Sequence, residues 1–262
     1  MTYQGLMFSI IIPNYNNAEW LDKCFTSVYE QRRKDYEVIF IDDMSTDSSL
    51  EIASKWCKKF DDMTVFKNSV KRWNGGSRNV ALSFANGKYL VFLDSDDTLA
   101  DNTCLERIGK AIEDNNHPDL VRLSYATSVS GAEYPANLSD QDTIDKILAS
   151  VSVACWTKCV KREKFVRFPE NTLMEDVVQH IAQLDVIDSV AVCKGPIVKW
   201  NRDNANSCSR NPELQNNKWR SSLYRFYADL LDLEVKRPAS QFELAKRRSM
   251  ALDNIMNGRF EQ

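Results

Sequence analysis

Histidine is scarce in this 262-residue sequence, with only His117 and His180, and no Cys-x-x-Cys pair occurs. That excludes a multi-histidine metal site and a crowded catalytic histidine network. The seven cysteines are scattered, Cys155 and Cys159 being the closest two. An odd count with no secretory leader favours reduced thiols in a cytoplasm. The apolar run Phe8 to Pro13 is too short for a signal peptide and has no basic lead. No segment approaches the roughly 20 apolar residues of a membrane span. No Gly-x-Gly-x-x-Gly follows a strand and no Gly-x-x-x-x-Gly-Lys-Ser/Thr occurs, so the dinucleotide fingerprint and the P-loop are both absent. Excess positive charge is also missing. A net charge of −3 gives no reason to expect nucleic-acid binding.

What is present is an alternation of two hydrophobic periods. Phe8 to Pro13 and Glu37 to Ile41 read as buried strands, Thr64 to Phe66 as a short one and Lys88 to Leu93 as a fourth. Between them lie amphipathic helices. Asn16 to Glu19 fits a capping box opening the first, with Trp20, Leu21, Cys24, Phe25 and Val28 on one face. The second covers about 48–60 on a stripe of Leu50, Ala53, Trp56, Cys57 and Phe60. Gly75 and Gly76 open the third, carrying Val80, Ala81, Phe84 and Ala85. Helices are expected near 103–114, 142–150 and 174–184, strands at 119–125, 189–193 and 197–200, and helix again from about 212. Strand and helix in alternation predict a parallel α/β sheet. Ligands of such sheets bind beyond the carboxyl ends of the strands. That rule gathers Pro13-Asn14-Tyr15, Asp42-Asp43 and Asp94-Ser95-Asp96-Asp97 at one edge.

The last cluster has a cost. Two full charges about 5 Å apart repel by roughly 3 kcal/mol at an effective dielectric near 20. A hard divalent cation, Mg²⁺ or Mn²⁺, is the natural counter-charge, since it takes oxygen ligands and keeps places for waters and phosphates. The alternative is a solvated acidic turn. Asp42 reads as a helix N-cap and Asp43, beside Tyr15, as a ligand group for a base or ribose. Arg78 lies where it could reach a phosphate or base. Glu175 and Asp176 open a helix. Either carboxylate can serve as a general base, or Glu175 can simply stabilise the helix dipole. His180 follows one turn after Asp176 and reads as a partly buried surface residue rather than a metal ligand. Lys158, Lys161, Arg162, Lys164 and Arg167 form a basic run that reads as solvated. Arg202 and Ser207 lie in a polar stretch that could meet phosphates.

Taken together these segments resemble family 2 inverting glycosyltransferases of the GT-A fold, over about 7–210. FSIIIPNYNNAEWLDKCFTSV is similar to the family's opening strand and helix. EVIFIDDMSTDSS resembles its second strand and DDGSTD turn, with Met44 where glycine is usual. NGGSRNVALSFANGKYLVFLDSDD resembles the segment running into its DxD motif. RFPENTLMEDV is similar to the base motif, while WTKCVKREKF and VKWNRDNANSCS resemble acceptor-side segments. Asp101 stands where the family often has proline, and Trp200 where it usually has tyrosine.

The resemblance implies a Rossmann-like, mostly parallel sheet. It divides the chain into a nucleotide-sugar half over 1–100, an acceptor half over 101–211 and a helical extension over 212–262. Pro13, Tyr15 and Asp43 would hold the base, with Arg78 nearby. Asp94 and Asp96 would meet ribose and metal, Asp96 being the direct ligand and Asp97 their support. Asp176 would be the catalytic base, and Arg202 would face diphosphate or acceptor. The implied donor is a nucleotide-sugar, UDP being the commonest, and the acceptor a glycan or lipid-linked hydroxyl. Lys236-Arg237 and Lys246-Arg247-Arg248 could touch an anionic membrane or form a solvated helix face. Two rivals stand beside this reading. Asp94-Ser95-Asp96-Asp97-Thr98 also fits the DxDxT of haloacid-dehalogenase-type phosphatases, and the chain could be a binding module without turnover.

Overall fold

Phe8–Asn14 and Tyr36–Asp42 form β1 and β2, and every residue of both is buried. Continuous apolar runs of this kind belong to strands covered on both faces. The computed structural model describes residues 5–129, 131–134, 143–149, 151–170, 174–205, 207, 233–237, 240–241 and 243–249. Helix α1 (Ala18–Tyr29) buries Leu21, Cys24, Phe25 and Val28, while Trp20 is half-buried at its edge. Helix α2 (Ser49–Cys57) buries Ala53 and Trp56. Phe25 gathers Phe40, Trp56 and Phe60 within 6.3 Å between ring centres. Strand β3 (Met63–Lys67), helix α3 (Trp73–Leu82) and strand β4 (Tyr89–Phe92) follow. Strands β3, β2, β1 and β4 are neighbours in that order and all parallel.

The remainder is mixed. Strand β5 (Thr98–Leu99) and helix α4 (Cys104–Asp114) precede β6 (Leu120–Thr127) and β7 (Glu133–Tyr134). After α5 (Ile144–Ala149) come β8 (Lys158–Lys161), α6 (Glu175–Asp185) and β9 (Val190–Trp200). Strand β8 inserts antiparallel between β4 and β6, giving the order β3-β2-β1-β4-β8-β6-β9-β5 with β7 on β6.

Four local expectations change. The strands at 189–193 and 197–200 are one strand, interrupted by a register shift against β6 where Gly195 takes a φ of +74°. The capping box does not form, because Asn16 and Asn17 have partners elsewhere; the Ala18 amide donates to Asp47 Oδ2 at 2.9 Å instead. Helix α3 begins at Trp73 rather than at Gly75. Phe84 lies past its end, is exposed, and meets Phe66 at 5.4 Å between ring centres.

The helix expected from 212 lies largely outside the described residues. The C-terminal stretch that is described packs Leu233, Val235 and Leu244 against Val177, Val178 and Ile181 of α6. Its basic residues have intramolecular partners: Arg237 pairs with Asp188 at 3.2 Å, and Arg247 with Glu243 at 2.7 Å. No helix among the described residues is long and apolar enough to cross a membrane.

Candidate functional site

The parallel register sets Asn14 opposite Asp42, so the ends of β1, β2 and β4 share one edge of the sheet. Pro13 is buried in β1, and Tyr15 emerges from its end, 47% exposed. The Lys71 ammonium sits 2.8 Å from the centre of the Tyr15 ring and 3.2 Å from Asp43 Oδ2. Of the two acids after β2, Asp42 does not take the expected capping role. Asp42 is fully buried and caps no helix; it accepts from the Ser45 amide and from Asn14 Nδ2. Asp43 is the helix cap. Its carboxylate accepts from the amides of Arg72 and Trp73, both at 2.8 Å, and from Asn68 Nδ2 at 2.9 Å. A carboxylate at the amino end of α3 satisfies orphan amides and meets the positive end of the helix dipole.

Helix α3 carries Arg78 inward. Arg78 is 3% exposed, and its guanidinium lies 5.3 Å from the centre of the Phe168 ring. It donates to Asp94 Oδ1 at 2.7 Å and to Glu175 Oε1 at 2.9 Å. One buried cation therefore joins the turn after β4 to the first turn of α6. Its Nε has no hydrogen-bond partner among the described residues. Gly75 makes the approach of the two helices possible, since a Cβ there would stand 2.7 Å from Glu175 Cγ and 3.0 Å from the Pro169 carbonyl.

The turn after β4 is held on every side. The Asp97 amide donates to the Asp94 carbonyl at 2.9 Å, and Asp97 Oδ1 accepts from the Asn201 amide at 2.7 Å. Ser95 accepts from Asn17, and Asp96 Oδ2 accepts from Asn204 Nδ2 at 2.7 Å. Burial first, then the charge of Asp94, pushes both Asp96 and Asp97 upward in pKa. Asp94 and Asp96 each keep one carboxylate oxygen that takes no side-chain donor from another described residue. Such a pair, offering two hard oxygens, fits an Mg²⁺ or Mn²⁺ that takes its other ligands from water and phosphate. No three His, Cys, Asp or Glu side chains among the described residues converge into a protein cage.

On α6, burial raises Asp176, while the charges of Arg78 and Lys158 oppose it. Burial raises Glu175 to about 7 in spite of its contact with Arg78. His180 is buried, not at the surface, with Nδ1 3.4 Å from Lys158 Nζ. The basic run is largely structural. Arg162 donates to the Gly87 carbonyl, Arg167 to the Asn79 carbonyl, and Lys164 pairs with Asp188 at 2.8 Å. Lys158 differs from its neighbours in being fully buried. Arg202 is exposed beyond β9, its guanidinium 5.3 Å from the centre of the Trp200 ring. Ser207 is half-buried, its amide near the Asn204 carbonyl. Lys71, Asn68, Asn17, Asn204 and Lys158 are members of the site's frame that the sequence pattern did not single out.

Relatives bear on this geometry. A poly(ribitol-phosphate) beta-glucosyltransferase of Bacillus spizizenii is 32% identical over 143 residues, 53% of this chain and 22% of that protein. The poly(ribitol-phosphate) beta-N-acetylglucosaminyltransferase TarS of Staphylococcus aureus is 30% identical over 135 residues, 51% of this chain and 23% of that one. The chain thus spans under a quarter of the length of these relatives. Over 224 residues it is 26% identical to an uncharacterized glycosyltransferase of Haemophilus influenzae, covering 84% of this chain and 86% of that protein. Among solved structures, S. aureus TarS 1–349 in complex with UDP-GlcNAc superposes with a TM-score of 0.73 at 21% identity, covering 92% of this chain and 71% of that one. The mannosyltransferase PcManGT of Pyrobaculum calidifontis, in complex with GDP-Man and Mn²⁺, gives 0.61 at 17% identity, with 93% and 69% covered. These likenesses show that the fold is of the GT-A type. The model of the glycosyl transferase family 2 matches residues 9–165, and the chain belongs to that family.

Proposed function

We propose that this glycosyltransferase is an inverting, metal-assisted enzyme moving a sugar from a UDP-sugar to a hydroxyl of a glycan or lipid-linked acceptor. The observation that carries the reading is the Arg78 bridge. It joins the acidic turn after β4, suited to a cation and a diphosphate, to the acids that open α6. Neighbours in complex with UDP-GlcNAc and UDP support the donor class, and relatives acting on poly(ribitol-phosphate) support a polymer acceptor.

In this reading residues 1–100 form the donor half and 101–211 the acceptor half. Pro13, Tyr15 and Lys71 flank the base, and Asp43 fixes the wall beneath it by anchoring the start of α3. Asp94 and Asp96 would hold the cation and the ribose, with Asp97 supporting their turn. When bound there, a divalent ion would supply positive charge toward the leaving diphosphate. Asp176 takes the proton of the acceptor hydroxyl. That oxygen attacks the anomeric carbon from the face opposite the leaving group, so the configuration inverts. Arg202 faces the diphosphate or the acceptor from the end of β9.

The phosphatase alternative requires Asp94 as a nucleophile on a first strand, whereas it follows β4 and is bound by Arg78. The binding-module alternative is tested directly. UDP release from UDP-N-acetylglucosamine in MnCl₂ is compared for wild type and Asp176→Asn. The expected loss is roughly a hundredfold or more, with UDP affinity retained. A variant turning over at the wild-type rate, or a wild type that binds UDP without any turnover on a panel of UDP-sugars and acceptors, contradicts the reading.

A further inference from the structure

Lys158 is a lysine with almost no access to water, being 2% exposed. Its ammonium has three donors, and each has a partner: the Ser152 carbonyl at 2.9 Å, the Val153 carbonyl at 2.9 Å and His180 Nδ1 at 3.4 Å. An ammonium cannot accept, so His180 presents its Nδ1 lone pair and is the neutral Nε2–H tautomer. Burial and the Lys158 charge hold His180 well below its usual pKa, which agrees with that state. No carboxylate forms an ion pair with Lys158 within 4.0 Å among the described residues. A buried cation with only neutral contacts is costly, and side chains of this kind usually lose their proton. Burial indeed lowers Lys158, to about 8, while three acceptors ringed about its nitrogen suit the ammonium form.

The missing counter-charge is one helical turn away. Asp176 and His180 are four residues apart on α6, and so share a helix face. We propose that Lys158 is a positioning residue whose buried ammonium, anchored on Ser152, Val153 and His180, acts beside Arg78 as a second charge partner that keeps Asp176 an ionised base. The inference rests on the assignment of Asp176 as base. Arg78 forms the ion pair with Glu175, while Asp176 feels the charge of Arg78 first and of Lys158 next. The other groups facing this pair are Arg78 from α3, Asp94 from the turn after β4, Glu175 on the same helix and the Cys155 thiol. Burial pushes that thiol up to about 12, so it carries no charge at neutral pH. Arg247, from the C-terminal stretch, faces His180.

The test uses the free protein and needs no substrate. Carbon-13 NMR of labelled aspartate follows the carboxyl of Asp176, assigned by its loss in Asp176→Asn, in wild type and in Lys158→Met. The Asp176 midpoint is expected to rise by about half a pH unit or more in Lys158→Met. Coupling between two sites is reciprocal. Nitrogen-15 NMR of the Lys158 ammonium should therefore show its midpoint falling by a similar amount in Asp176→Asn, a measurement available even if Lys158→Met does not fold. Midpoints unmoved in Asp176→Asn, or in a folded Lys158→Met, overturn the inference and assign Lys158 to packing alone. Separately, Asp176→Asn with undiminished turnover would overturn the assignment of the base while leaving the measured coupling intact.

Discussion

Met44 is where a single residue exposes the logic of the turn after β2. It has a φ of +66° and is 41% exposed. A side chain with a Cβ pays roughly 1–2 kcal/mol in the left-handed region, where glycine is at home. Glycine gives back part of this through its freer unfolded chain. Met44→Gly is therefore expected to stabilise the protein by about 0.5–1 kcal/mol in urea unfolding; a loss of stability would mean that Met44 makes contacts that matter more than its backbone. The oddity was legible in the sequence as a methionine within a turn that usually carries glycine. Other residues of the site were not. Asn204 meets Asp96 across 108 positions and Asn17 across 187. No local pattern marks an asparagine for such a partner. Lys158 looked like one member of a surface run, because burial of one lysine among five basic residues depends on the path of β8, not on composition.

At the scale of elements, periodicity located the helices and strands β1–β4, β6 and β9, though not β5, β7 or β8, and remote side chains decided their ends. The apolar stripes of α1 and α2 and the continuous runs of β1 and β2 are local consequences of covering a parallel sheet. Their caps come from elsewhere: Asp47 serves α1, and Asp43 serves α3 across 29 and 30 positions. Helix α3 packs on α6, and Gly75 faces Glu175 there. Gly75→Ala would drive a methyl group against Glu175 Cγ and the Pro169 carbonyl. A loss of about 1–3 kcal/mol in urea unfolding is expected, as for other overpacked sites. Wild-type stability in that variant would mean that α3 and α6 are free to separate, and that the Arg78 bridge is not rigidly held.

For the whole molecule, the order of elements foretold the parallel half of the sheet and the edge where three acidic or aromatic turns meet. The mixed half was harder to read. Strand β8 enters antiparallel between β4 and β6, and neither the length nor the hydrophobic pattern of Lys158–Lys161 encodes direction. The donor side of the proposed function rests on Asp94 and Asp96 binding a nucleotide diphosphate through a divalent ion. The most direct measurement is calorimetric titration of UDP into the protein, with MnCl₂ and with EDTA in its place, for wild type and Asp96→Asn. Tight uptake by wild type only in manganese, with that dependence lost in Asp96→Asn, is the predicted result. Uptake of equal strength in EDTA, or none under either condition, would contradict it.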